Sequence, residues 1–107
     1  MWIVELLDAR VRDELEALPA DMRARFRRIV DLIQSHGLER MREPHVKHIE
    51  GRLWEMRMKG RDGISRAIYV TARGHRVVVV RVFVKTTQKT PRSEIELAKQ
   101  RAKELTS

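Results

Sequence analysis

The stretch "RLWEMRMKGRDGISRAIYVTARGHRVVVVRVFVK", residues 52–85, decides the fold. Three segments in it, 52–58, 64–70 and 76–85, are rich in β-branched, aromatic and other apolar side chains. "KGRDG" and "TARGH" separate them, and both are glycine-containing connections of hairpin length. The spacing predicts an antiparallel meander of three strands. Alternation then sorts the side chains, because successive strand residues point to opposite sheet faces. Regular alternation groups Val78, Val80, Val82 and Val84 on one face and Val79, Arg81, Phe83 and Lys85 on the other. In the first strand Trp54, Met56 and Met58 oppose Glu55 and Arg57; in the second, Arg66 falls with Ile64, Ile68 and Val70. If the valine face carries the helices, the second face presents Glu55, Arg57, Arg66, Arg81 and Lys85 beside Phe83. That is a basic, partly apolar surface holding a single acid.

Outward from the meander the period changes to that of helices. "WIVELL" (2–7) reads as a short strand, followed by "DARVRDELEALP" (8–19) with Asp8 as N-cap and Pro19 as the stop. "ADMRARFRRIVDLIQSHG" (20–37) places Met22, Phe26, Ile29, Val30 and Ile33 on one face and ends at Gly37. These two form an αα-hairpin, whose apolar stripe is the expected docking face for a protein partner. Residues 38–50 lack clear periodicity and read as a connection. The last segment begins "SEIE", where Ser93 and Glu96 suggest a capping box, with Ile95, Ala98, Ala102 and Leu105 as the apolar stripe. The predicted order is β-α-α-β-β-β-α. It describes an α+β domain, one unit over residues 1–107, with a small antiparallel sheet and helices packed on one face.

Charge narrows the partners. Of the 107 residues, 1–50 carry nine Lys/Arg against ten Asp/Glu, whereas 51–92 carry eleven against Glu55 and Asp62 alone. The net charge of +8 therefore resides in one segment, a pattern that points to phosphate. There are no cysteines, which excludes disulfides and cysteine-based metal sites. His45 and His48 stand three apart in "PHVKHIE" and read as a loop pair rather than as metal ligands. No metal and no cofactor are expected. The opening residues are acidic and hold no apolar run of membrane length, so a cytoplasmic protein without signal peptide or anchor is the expectation.

"LWEMR" in one strand, an Arg followed by a Tyr in "SRAIYV", "VFVKTTQKTP" and the closing "EIELAKQRAKEL" together resemble the RelE/ParE superfamily of toxins. Within it they are similar to the HigB-like, phage-derived branch. The resemblance implies a small sheet-and-helix fold and a metal-independent mRNA endoribonuclease acting on the ribosome. It also implies neutralisation by a cognate helix-turn-helix antitoxin. Such cleavage uses the substrate 2′-OH as nucleophile. It needs a base for that hydroxyl, cations over the phosphorus and a proton for the leaving oxygen.

By resemblance Arg66 and Lys85 match positions that bind and stabilise phosphate, and Arg57 falls at another commonly basic one. Glu55, the only carboxylate on the proposed face, is the candidate base, with a cation-depressed Lys85 as the alternative. Arg81, Lys89 and Tyr69 are candidate RNA contacts, Tyr69 through base stacking. Relatives often keep an aromatic or histidine near the chain's end. Residues 93–107 contain neither, which leaves the proton donor unassigned.

Two other functions share these features. A ParE-type gyrase inhibitor has the same fold, and a non-enzymatic nucleic-acid-binding module needs only the charge. The bland readings make Arg66 and Glu55 a cross-strand salt bridge, Lys85 and Lys89 solvated strand-end charges, and Tyr69 a core residue.

Overall fold

The structure, a computed structural model, describes residues 1–85 and 88–105. Its elements are β1 (Ile3–Leu6), α1 (Ala9–Glu16), α2 (Ala20–His36), a 3₁₀ turn (Leu38–Arg40), β2 (Val46–Glu50), β3 (Leu53–Gly60), β4 (Gly63–Ala72), β5 (Arg76–Lys85) and α3 (Arg92–Ala102). The α+β class and the three-strand meander are as the sequence predicts. The sheet is larger and mixed: its strand order is β1-β5-β4-β3-β2, and β1 runs parallel to β5. No helix among the described residues is long and apolar enough to cross a membrane.

Local chemistry explains most of the boundaries. Asp8 caps α1 by accepting the Arg10 and Val11 amides at 3.0 and 3.4 Å. Gly37 ends α2 at φ 94, a left-handed conformation that costs glycine little, and its amide reaches the Ile33 carbonyl at 2.8 Å. α3 starts two residues earlier than its expected capping box. Pro91 occupies the cap position and no side chain caps the helix, so Ser93 lies inside it. Proline suits a helix start because the amide it lacks would have no intrahelical partner.

Residues 46–50, read as connection, form β2 along the edge of β3. Only Val46 of this strand is fully buried. An edge strand with polar groups on both sides carries no period for the sequence to display.

Helices cover both faces, not one. On the first face α1 and α2 bury Val11, Met22, Phe26, Ile29 and Ile33 against Met56, Met58, Tyr69, Val77 and Val79. On the second, α3 sets Ile95, Ala98 and Ala102 against Ile68, Val70, Val78, Val80 and Phe83. The hairpin of α1 and α2 spends its apolar stripe on this core. The large hydrophobic residues left exposed are Met1, Ile3, Trp54 and Val84, none of them in residues 8–36. The expected apolar docking face is thus occupied by the protein's own sheet. Gly60 lets α2 approach the β3–β4 turn closely. A Cβ there would meet Met22 Cγ and Asp21 Oδ2 at 2.8 Å, and Asp21 accepts the Arg61 amide at 2.6 Å.

One irregularity in β5 sets the placement of everything that follows. Tyr69 pairs with Val79 but Ile68 with Arg81, so Val80 is an extra residue, a β-bulge. Val79 therefore faces α1 and α2, whereas Arg81 and Phe83 face the α3 side. Regular alternation from Val79 would have turned Arg81, Phe83 and Lys85 into the first core. The predicted quartet Val78, Val80, Val82 and Val84 is split for the same reason: Val78 and Val80 lie in the α3 core, Val82 in the other.

Candidate functional site

Register places the basic residues in rows across the α3 side of the sheet. Directly paired residues share a face, so Lys47, Glu55, Ile68 and Arg81 form one row. Arg57, Arg66 and Phe83 form the next, and Lys59, Ile64 and Lys85 the third. The grouping of Glu55, Arg57, Arg66, Arg81 and Lys85 read from alternation is therefore present. α3 covers only part of this face, the part holding Leu53, Val70, Val78 and Val80.

Glu55 and Arg66 form the floor. Their side chains are 2 % and 3 % exposed and make a direct ion pair from Arg66 Nη1 to Glu55 Oε2. They sit diagonally on neighbouring strands, within reach of a long guanidinium. Thr90 closes the pair from above, its hydroxyl donating to Glu55 Oε1 at 2.6 Å. Arg66 Nε has no hydrogen-bond partner among the described residues, and burial pushes the guanidinium's pKa down. Glu55 thus carries the cross-strand salt bridge, and its oxygens are engaged by Arg66 and Thr90. A buried, paired carboxylate is poorly placed to take a substrate proton, which counts against Glu55 as a base.

Around that floor stand cations without carboxylate partners. Lys47, Arg57 and Lys85 make no ion pair among the described residues, whereas Glu55 is matched by Arg66. Lys85 is half-buried, and its pKa is lowered first by burial, then by Arg66, Arg57 and Lys47. An amine in that position loses its proton more readily than an exposed lysine does. Lys47 was missed because the edge strand carrying it was read as a connection. The alternation in "VKHIE", with only Val46 and Ile49 apolar, was too weak a signal to find it.

Two candidates stand apart from these cations. Arg81 is held by carboxylates, with Nη1 2.7 Å from Glu14 and Nε 2.6 Å from Glu94, and its guanidinium lies 5.9 Å from the Phe83 ring. It belongs to a charged cluster that fastens the bulge. Glu14 accepts the Val82 amide at 3.1 Å, and Arg101 donates to the Val80 carbonyl at 2.9 Å and to Glu14 at 3.1 Å. The cluster provides partners for the bulge's backbone groups and so helps keep Lys85 on the open face. Tyr69 lies on the opposite face and is 1 % exposed, with its hydroxyl pKa raised by burial. It lines an apolar groove of about 340 Å³ with Trp2, Met41 and Trp54, away from the cations.

Lys89 is exposed on the bend at residues 88–89 that leads to α3. Thr86 and Thr87, the middle of "VFVKTTQKTP", lie outside the described residues. His48 contacts the Gly51 carbonyl at 2.9 Å and packs on Trp54, so it does not converge with His45.

A family model described as phage-derived protein, Gp49-like (DUF891), matches residues 13–103. The chain belongs to the Gp49-like family. The match spans everything from mid-α1 to the end of α3, so it includes the cationic rows, the buried pair and the bulge with its charged cluster. A comparison with curated proteins gives this Gp49-like chain no match.

Proposed function

We propose that this Gp49-like protein is the toxin of a type II toxin–antitoxin pair, a HigB-like member of the RelE/ParE superfamily that cleaves mRNA on the ribosome. One observation carries the reading: Lys47, Arg57 and Lys85 surround a buried Glu55–Arg66 pair, with the Lys85 pKa depressed. A surface used only for solubility would more often mix its signs than gather, over a buried salt bridge, cations that make no ion pair among the described residues.

In the proposed reaction the 2′-OH attacks the adjacent phosphorus, so the 2′-O–P bond forms and the P–O5′ bond breaks. Neutral Lys85 takes the hydroxyl proton, and the leaving 5′-oxygen receives one from water. Arg57 and Lys47 stabilise the negative charge that grows on the phosphoryl oxygens. Arg66, charge-matched by Glu55, lowers the Lys85 pKa. The partner in the resting cell would be a helix-turn-helix antitoxin, and the site of action the cytoplasm.

Inducing the protein alone in bacteria should stop growth and translation before replication, with mRNA cut within translated regions. Lys85→Ala should abolish the cuts while the protein stays folded by circular dichroism. DNA breaks and an SOS response preceding any loss of mRNA would replace this reading with gyrase inhibition. Equal loss of RNA binding and cleavage in the variant would leave only an electrostatic binding module.

A further inference from the structure

Beside the cationic rows lies a second basic cleft. β2 begins at Val46, paired with Met56, and the Arg57 amide still donates to the His45 carbonyl at 2.9 Å, so beyond Arg57 β3 runs on to Gly60 without a β2 neighbour. A cleft of about 360 Å³ opens there, lined by Arg25 of α2, Pro44 and His45 before β2, Arg57 and Lys59 of β3 and Ile64 of β4. Arg25, Arg57 and Lys59 make no ion pair among the described residues, and no carboxylate lines the cleft. The approach of α2 to the β3–β4 turn at Gly60, fastened by Asp21 on the Arg61 amide, brings Arg25 to this edge.

The cleft is continuous with the reaction site. Arg57 lines it and is also one of the cations acting on Lys85. Ile64 lies in register between Lys59 and Lys85. Neighbouring strands are about 4.8 Å apart, which separates β3 from β5 by about 10 Å, a step that one or two nucleotides span.

We propose that this cleft is a second RNA subsite that grips the backbone phosphate next to the one cleaved. Arg25 and Lys59 hold the phosphate, Arg57 is shared between the two subsites, and Pro44, His45 and Ile64 offer a surface for the attached base. The inference rests on the reading of the chain as an RNA-cleaving protein and adds the direction in which the strand runs, from β5 across β3 toward α2.

The test is fluorescence anisotropy with single-stranded RNA carrying a 2′-deoxy sugar at the cleavage position, as a dinucleotide and as a tetranucleotide. Arg25→Ala and Lys59→Ala should each weaken tetranucleotide binding about threefold at moderate salt and flatten its salt dependence by about 0.7 in log–log slope. The dinucleotide should lose less. Arg73→Ala, an exposed cation on the β4–β5 turn, should change neither. Tetranucleotide binding by Arg25→Ala and Lys59→Ala that matches Arg73→Ala overturns the subsite, and so does an equal loss on both lengths, which marks a bulk charge effect. The underlying reading fails separately, if the unmodified protein cleaves no RNA either alone or on ribosomes.

Discussion

Replacing Glu55 by Gln tests the reassignment of this residue most directly. Its carboxylate is 2 % exposed and its partner Arg66 3 %, so water can solvate neither charge. The substitution keeps the shape and an oxygen for the Thr90 hydroxyl, but it leaves the Arg66 guanidinium buried without a counter-charge. Removing one partner of a buried ion pair costs about 3–5 kcal/mol, against about 1 kcal/mol or less for a solvated pair. For a domain of this size the total stability is on the order of 5–15 kcal/mol, so the variant should be folded but fragile. Urea unfolding followed by circular dichroism should show the midpoint falling by about 2 M, with an unchanged slope.

The double variant Glu55→Leu with Arg66→Met removes both charges together and should recover most of the loss, because well-packed apolar residues replace buried ion pairs at little cost. Cleavage per folded molecule should survive in Glu55→Gln, and its pH–rate profile should keep its acidic limb. A stability loss below about 1 kcal/mol would refute the burial argument. A folded variant that has lost the acidic limb would return the base to Glu55.

Lys85→Met should abolish cleavage and raise stability at neutral pH, since the native site disfavours the lysine's charge. Because its folded pKa lies below 10.5, wild-type stability should rise with pH between the folded value and 10.5, and the variant should lack that rise in calorimetric scans. Glu14→Ala removes a partner of Arg101 and of Arg81 together with the acceptor for the Val82 amide. It should cost about 3 kcal/mol, speed hydrogen exchange at Val82 and raise the Lys85 pKa as the bulge loosens; an unchanged Lys85 titration by NMR would disprove the bulge's role. Glu50 is held near a pKa of about 2, below its ordinary 4.5, by Arg92 first and then Lys99. That stabilisation is present above 4.5 and lost as pH falls through 2, so Glu50→Gln should flatten the acid side of the stability curve in low salt.

The sequence by itself determined the elements whose causes are local. Asp8, Gly37 and the turns at residues 59–63 and 71–75 set boundaries through caps and backbone conformations that need no distant partner. Alternation within single strands also set Glu55 and Arg57 opposite Trp54 and Met56, and Arg66 opposite Ser65 and Ala67, because a period of two is a property of the chain. Three features depended on the tertiary structure. β2 exists because the edge of β3 was free to pair, not because "VKHIE" insists on a strand. The bulge at Val80 is invisible in an unbroken run of valines, yet it decides which core each valine enters and turns Lys85 to the open face. Which cations are neutralised was settled by carboxylates on other elements: Glu14 and Glu94 take Arg81, Glu55 takes Arg66, and Lys47, Arg57 and Lys85 have no carboxylate partner among the described residues. Periodicity is a local property, whereas register and ion pairing belong to segments that meet only in the folded chain.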